Sequence, residues 1–409
     1  MRNFKTNMPI MLVLTLLLAI PCILSCTQQA APAPVKEVKP EKIVIPLAID
    51  LSGPYGQQNQ WAINGVTDAF AYVNSTGGIK GVPLEFISRD DAGSPSNALT
   101  VYNEFKNMKP KPAMVAFLDS QVGVALKQRF NEDQIVNMMG EGSGPGLYPS
   151  GYTFAISTEN RDKFAFFCDW LAEKEAPNHP KVAILTWDNV YGNVILQPVC
   201  LDYAKSKGID IVATELFNVT DVNASAQLQR IKQSGAKWIY TNTLLIGPAV
   251  IAKTTGALNV TQDFNYGVAG VSLNYITMQI SGGMEGWVGP SNWASWDESD
   301  VKGVQVMEEQ FKKNKRTADD KQNVHIGAFI CGLLIQQTLN SVVDKYGWDG
   351  ITGPNVKAIL ENTGNFEAMG LTKISFSKDL RSPVYCKMYQ ISQGKILPIT
   401  GWKEAHHFQ

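Results

Sequence analysis

Ser120, in Leu118-Asp119-Ser120-Gln121, and Ser143, in Gly140-Glu141-Gly142-Ser143-Gly144-Pro145-Gly146, have the type and setting to do chemistry, and the chemistry they suit is binding. Ser120 opens a stretch of helical period, 122–131. Its hydroxyl there either caps the helix or joins the orphan N–H groups of the first turn in holding an anion. Ser143 lies among glycines, Gly142 included, whose missing side chains let a solute approach backbone donors. The Gly-Lys-Ser/Thr ending of a phosphate-binding loop is absent. Asp119 and Glu141 flank the two serines: turned inward, either acid repels a carboxylate and receives an ammonium or amide N–H. Turned outward, as Asp and Glu usually are, they do neither. Tyr55, Trp187 and Tyr191 fall in or beside loops and suit an apolar or stacking wall, with core or hinge packing as the alternative. Trp61 sits on an apolar helical face and reads as core, and Trp287, Trp293 and Trp296 read as hinge packing or a cleft rim. Catalysis needs more than this. The four histidines, His179, His325, His406 and His407, fall outside these loops, the last two in a polar C-terminal tail expected to be solvated. No H-E-x-x-H, G-x-S-x-G or C-x-x-C occurs. The reading is therefore non-enzymatic, with no metal and no cofactor.

The elements that must position these loops repeat a simple unit. From Ile43, short β-rich runs alternate with helical segments: IVIPLAI then 59–74, VPLEFIS then 96–108, AMVAFL then 122–131. The pattern restarts near 157–162, with helix 163–175, strand VAILTW, helix 192–207, strand IDIVATELF, helix 224–233 and strand KWIYTN. Helices at 301–313 and 326–346 and β-like runs LTKISF, VYCKMYQI and KILPIT follow, without a separate core. This is α/β organisation in two parallel-sheet lobes, whose ligand sites lie beyond the carboxyl ends of the strands. Those loops are 50–56, 119–121, 140–146, 187–192, 242–247 and 269–272.

The N-terminus adds a destination. Arg2 and Lys5 precede an uncharged apolar stretch, 8–24, ending Ile23-Leu24-Ser25-Cys26. This layout is that of a secretory signal, 1–25, and its end resembles a lipobox with Cys26 as the lipidated residue; an ordinary signal with an incidental cysteine is the alternative. Residues 26–42, rich in Ala, Pro, Gln, Lys and Glu, read as a tether able to reach about 50 Å at about 3.1 Å per residue. The 409-residue chain has a formal net charge of −1 and lacks the clustered basic surface that nucleic acid requires. Cys168, Cys200, Cys331 and Cys386 match no zinc spacing and read as buried thiols, although an exported compartment permits a disulfide.

From Leu51 to Ala98 the sequence LSGPYGQQNQWAINGVTDAFAYVNSTGGIKGVPLEFISRDDAGSPSNA resembles the leucine/isoleucine/valine-binding family of transporter solute receptors. Ser52-Gly53-Pro54, the helix-ending run 74–81 and Arg89-Asp90-Asp91 carry the likeness, and a looser one, including Asp188 to Gly192, extends over the rest of the globular region. The resemblance implies a type I periplasmic binding protein: two Rossmann-like, doubly wound lobes, 43–157 plus 290–382 and 158–289 plus 383–409, joined by a three-segment hinge near Ser157, Gly289 and Pro383. It implies that Ser120 and Ser143 hold a ligand carboxylate. In the second lobe it places Thr243 where an aromatic residue often packs, and Ala269 where an acid commonly meets the ligand's ammonium. An ammonium buried without a counter-charge is costly. The expected ligand is thus a small, largely apolar carboxylate or amide, with branched-chain amino acids second. The implied partner is the membrane permease of an ABC transporter, with the protein exported and lipid-anchored at the periplasmic or outer cell-membrane face. A sensor working with a separate signalling partner is the alternative.

Overall fold

The computed structural model describes residues 38–408; the expected signal, Cys26 and most of the expected tether lie outside the described residues. The first sheet is built from β1 (Ile43–Ile49), α1 (Gly56–Ser75), β2 (Leu84–Asp90), α2 (Pro95–Lys106), β3 (Met114–Phe117), α3 (Ser120–Asp133), β4 (Val136–Met139), α4 (Gly144–Leu147) and β5 (Thr153–Ala155). Its strands are parallel, in the order β2-β1-β3-β4-β5. Every residue of β3 and β4 is buried, as expected where helices cover both faces of a parallel sheet. The pairings Ile49 with Asp90, Ala48 with Phe117 and Met139 with Ala155 bring the carboxyl ends to one edge, where α1, α3 and α4 begin.

The second sheet follows: α5 (Asn160–Glu175), β6 (Lys181–Trp187), α6 (Val190–Asn193), α7 (Pro198–Ser206), β7 (Asp210–Phe217), α8 (Ser225–Gln233), β8 (Trp238–Thr241), α9 (Ile246–Ala257), β9 (Asn265–Val268), α10 (Tyr275–Ser281) and β10 (Val288–Ser291). The chain then runs through α11 (Lys302–Lys313), α12 (Asn323–Tyr346) and α13 (Gly353–Leu360) before β11 (Tyr385–Ser392), β12 (Lys395–Pro398) and β13 (Lys403–Glu404) complete the second lobe antiparallel. The strand order is β12-β11-β10-β9-β8-β6-β7.

Helix α12 has the length and apolar character of a membrane span, but two thirds of its apolar window is buried, and it packs along α1 as a core helix of the first lobe. Glycines allow the approach. A Cβ at Gly65 would lie 2.4 Å from the His325 carbonyl oxygen, and one at Gly332 2.5 Å from the Ala69 methyl. An ion pair ties the segment after α11 to α1, Arg316 Nη2 to buried Asp68 Oδ1 at 2.8 Å, with His325 Nε2 of α12 3.3 Å from the other Asp68 oxygen. Burial pushes the Asp68 carboxyl upward, but hydrogen bonds and charge from His325 and Arg316 outweigh it and hold it below its usual range.

Three chain segments join the lobes, and side chains and backbone bonds lace them together. Asn292 donates to the Ile156 carbonyl at 3.0 Å and accepts from the Thr158 N–H at 3.0 Å, while the Ala155 N–H bonds Arg381 O and Thr158 Oγ1 lies 3.4 Å from Cys386 Sγ. Pro290 and Ser291, at the crossing expected near Gly289, still pair with β11 in the second sheet. Three expectations change. The run 371–376 forms only isolated bridges, Trp293 with Thr372 and Phe366 with Ile374. The helix expected over 192–207 is broken at Gln197, whose extended backbone precedes Pro198, because proline disfavours a helical residue before it. Finally, His407 is not a solvated tail residue: it lies between Asp162 Oδ2, 2.7 Å from its Nδ1, and the Tyr148 hydroxyl, 3.1 Å from its Nε2.

Candidate functional site

A cavity of about 100 Å³, open to solvent at its mouth, lies where the two sets of strand-end loops face each other. Its first-lobe wall comes from the start of α1 (Tyr55, Gln58, Asn59, Ala62), the ends of β3 and β4 (Leu118, Met138, Met139), the start of α3 (Asp119, Ser120, Gln121), and α12 (Val324, Gly327, Ala328, Cys331). Tyr191 and Leu244 close it from the second lobe, and Trp293 and Ile156 from the crossings. The site is therefore shared between lobes.

Its polar groups are specific. Ser120 is buried and donates from Oγ to the Glu141 carbonyl at 3.0 Å, tying the two first-lobe loops together. Ser120 is not the helix cap. Asp119 is, with Oδ1 accepting from the N–H groups of Gln121 at 2.7 Å and Val122 at 3.2 Å. Burial, assisted by the Asp50 charge, raises the Asp119 carboxyl above its usual range despite those two donors. Asp91 behind it is pushed up to about 6 by burial and by Asp119, Asp50 and Asp90. Glu141 also faces the cavity, with Oε2 2.7 Å from Lys163 Nζ on α5. Lys163 is 1% exposed and Glu141 14%, so this ion pair is formed largely out of water and spans the gap between lobes.

Across the cleft, the Tyr191 loop is held by Asn242, which donates to Tyr191 O at 2.6 Å and whose own carbonyl accepts from Thr186 Oγ1 at 2.9 Å. The Tyr191 hydroxyl is buried beside the Asn160 amide with its own proton unpaired, and burial, followed by the Glu141 charge, lifts it well above the usual phenol range. Trp293 Nε1 is likewise buried without a partner. Leu245, next to the lining residue Leu244, has φ of 28°, a conformation that costs a side-chain-bearing residue and is held by the packing around it.

A family model described as periplasmic binding protein matches residues 42–395, nearly the whole globular region. The chain belongs to the periplasmic binding protein family. Among curated relatives, the Leu/Ile/Val/Thr-binding protein of Salmonella typhimurium is 25% identical over 238 residues, 57% of this chain and 64% of that protein. The match thus spans somewhat under two thirds of the relative's length. A solved branched-chain amino acid ABC transporter protein from Thermus thermophilus with bound valine superposes with a TM-score of 0.81 at 15% identity, covering 90% of this chain and 97% of that one. A fatty acid ABC transporter substrate-binding protein from Thermomonospora curvata gives 0.76 at 16% identity, covering 90% and 94%. These likenesses show a type I periplasmic binding fold.

Within that binding-protein fold, the loops chosen from sequence are divided by the structure. Tyr55, Ser120, Glu141 and Tyr191 line the cavity together, with Asp119. Trp187 stands just outside it, buried and 6.4 Å from Tyr55 between ring centres, an aromatic contact from lobe to lobe. Burial and the Asp119 and Asp50 charges push the Tyr55 hydroxyl up to about 12. Gly142 and Ser143 lie behind the lining: a Cβ at Gly142 would meet Leu147 at 3.0 Å and Ala155 at 3.1 Å, and the Ser143 hydroxyl is buried without a partner. Thr243 is fully buried against Thr241, Oγ1 to Oγ1 2.9 Å, and Ala269 follows β9 directly with its N–H on Thr241 O. Sequence reasoning did not single out Lys163, Leu244 or the α12 residues. Only α12 carried a usable signal, the small residues Gly327, Ala328 and Cys331 on one face of an otherwise bulky apolar helix.

Proposed function

We propose that this protein is an extracytoplasmic solute receptor that closes its lobes on a small amino acid or a related apolar carboxylate or amide and delivers it to an ABC transporter permease. The observation that carries this reading is a cavity walled by both lobes, apolar over most of its surface and lined by a few polar side chains. A ligand seated between lobes binds the closed state better than the open one, and that difference drives closure. Asp119 and Glu141 supply acceptors for an ammonium or amide N–H, while Tyr191 and Trp293 supply unpaired donors for a carbonyl or carboxylate oxygen. A ligand with both kinds of group satisfies both sides. The relatives named for leucine, isoleucine, valine and threonine fit this class. Export and a lipid anchor at Cys26 complete the proposal, and mass spectrometry of the membrane-extracted N-terminus tests the anchor.

The ligand is tested by a thermal-shift screen of aliphatic amino acids, their deaminated analogues, aromatic acids and short amides. At 100 times the dissociation constant a ligand adds about 2.7 kcal/mol of stability, enough for a clear shift. If leucine or valine binds while the deaminated acids do not, an ammonium is recognised by Asp119 or Glu141 without an acid at position 269. Small-angle scattering should show a more compact molecule with the hit than without it, and an unchanged radius at saturation would contradict closure.

A further inference from the structure

The cavity does not stop at the level of its polar groups. Helices α1 and α12 both begin at the cleft and run down into the first lobe. Val324, Gly327, Ala328 and Cys331 on α12 follow the i, i+3, i+4, i+7 spacing of one helix face and line the space, as do Gln58, Asn59 and Ala62 on α1. Cys331 lies eight residues beyond Asn323, so at 1.5 Å per residue the lining reaches about 12 Å below the start of the helix. Toward that end the side chains are small: Ala62, Gly327, Ala328 and Cys331. Trp293 lies over Gly327, with ring atoms 3.1 Å from where a Cβ would be, so even one added methyl there would press on the indole. Met138 and Met139 also line the space, and their unbranched thioethers adapt to an occupant's shape. Burial pushes the Cys331 thiol up to about 12, leaving it an uncharged, apolar end wall.

We propose that this first-lobe extension of the cleft, ending at Ala62 and Cys331, is a chamber for an elongated apolar tail, so that the preferred ligand carries a straight chain longer than a branched aliphatic side chain. The inference rests on the cleft reading above and adds the tail class to it. The head group stays at the level of Ser120, Glu141, Tyr191 and Trp293, where the polar groups are. The tail passes between α1 and α12, where no polar side chain beyond Gln58 and Asn59 faces it among the described lining residues. A short ligand leaves the deep end without contacts, and atoms lining a void lose their dispersion partners.

Calorimetric titration of two straight-chain series decides the matter: 2-aminobutanoate, norvaline, norleucine and 2-aminooctanoate, and butanoate, hexanoate and octanoate. In whichever series binds, each added methylene should tighten binding about fourfold, the ~0.8 kcal/mol of a buried methylene, up to the eight-carbon member. Cys331→Phe and Ala328→Leu, each checked for folding by circular dichroism, should weaken the eight-carbon member by about tenfold or more and leave the four-carbon member within about twofold, since two to three methylenes lose their place. If affinity in the unaltered protein peaks at four or five carbons, the chamber is overturned while the cleft reading stands. If neither series, leucine nor valine binds, both fall. The length series needs no variant, so a misfolded variant does not shield the proposal.

Discussion

At the level of single residues, the two acids of the cleft differ in what holds them. Glu141 neutralises Lys163, a buried ammonium, whereas Asp119 spends one oxygen on the first turn of α3. Glu141→Gln leaves Lys163 buried and unpaired, and breaking such a pair costs about 3–5 kcal/mol, read as a fall in the denaturation midpoint. Asp119→Asn keeps a capping oxygen, and Asn and Asp cap about equally well, so stability should move by no more than about 0.5 kcal/mol. If Asp119 receives a ligand ammonium, that same variant should nonetheless weaken amino-acid binding about tenfold or more, so titration separates its binding role from its folding role. An unchanged affinity moves the ammonium to Glu141. That these acids sit in cleft loops was legible, because both follow strands; which way either side chain turns was not. Nor were their partners. Lys163 lies in an ordinary helical stretch, and nothing local to it announces a carboxylate 22 residues earlier.

Elements were more legible than contacts because period and burial are local properties. Fully buried strands such as MVAF and the apolar run of α12 announce themselves in composition, and proline and glycine mark most of their ends. The failures have local causes too: Pro198 breaks a helix whose apolar period runs through it, and 371–376 has strand composition but pairs only at single residues. What period does not show is how closely two elements approach. The α1–α12 contact depends on Gly65 lying against the His325 carbonyl, backbone that cannot give way as a side chain would. Gly65→Val should therefore destabilise the first lobe by about 1–3 kcal/mol through overpacking, measured by chemical denaturation. Because the same two helices wall the deep cavity, the variant should also weaken ligand binding; a full-affinity, fully stable Gly65→Val protein would show that the helices separate freely.

For the whole molecule, the hinge gathers elements from every part of the sequence, and this is why its chemistry was least visible beforehand. His407 meets Asp162 across 245 positions of sequence, and the tail is pinned further by Phe408, whose N–H bonds Asp162 Oδ1 and whose carbonyl accepts from Arg161. Tyr148 joins the first lobe to this cluster by touching both His407 and the Arg381 N–H. Three groups here hold their protons more tightly when folded. Burial and the Asp162 charge lift Glu159 to about 7 in spite of Arg161. Burial lifts Asp162 in spite of His407. Burial would lower His407, but the Asp162 hydrogen bond and charge reverse that and raise it. Each folded value thus lies above the unfolded one, so the native state binds more protons and stability falls as pH rises through the interval between them. For Glu159 that interval runs from its ordinary 4.5 to about 7, and for His407 it begins at 6.5 and extends upward. The stabilisation from protonated His407 is complete below pH 6.5 and lost above its folded value. Denaturation midpoints should therefore decline from pH 5 toward pH 9. The destabilisation caused by His407→Gln should be larger at pH 6 than at pH 9, because glutamine replaces the hydrogen bond to Asp162 but not the charge. A penalty that grows with pH would mean that His407 serves the hinge only as a neutral hydrogen-bonding group, and that the decline belongs to the buried carboxyls, Asp91 and Asp119 of the cleft as well as Glu159 and Asp162.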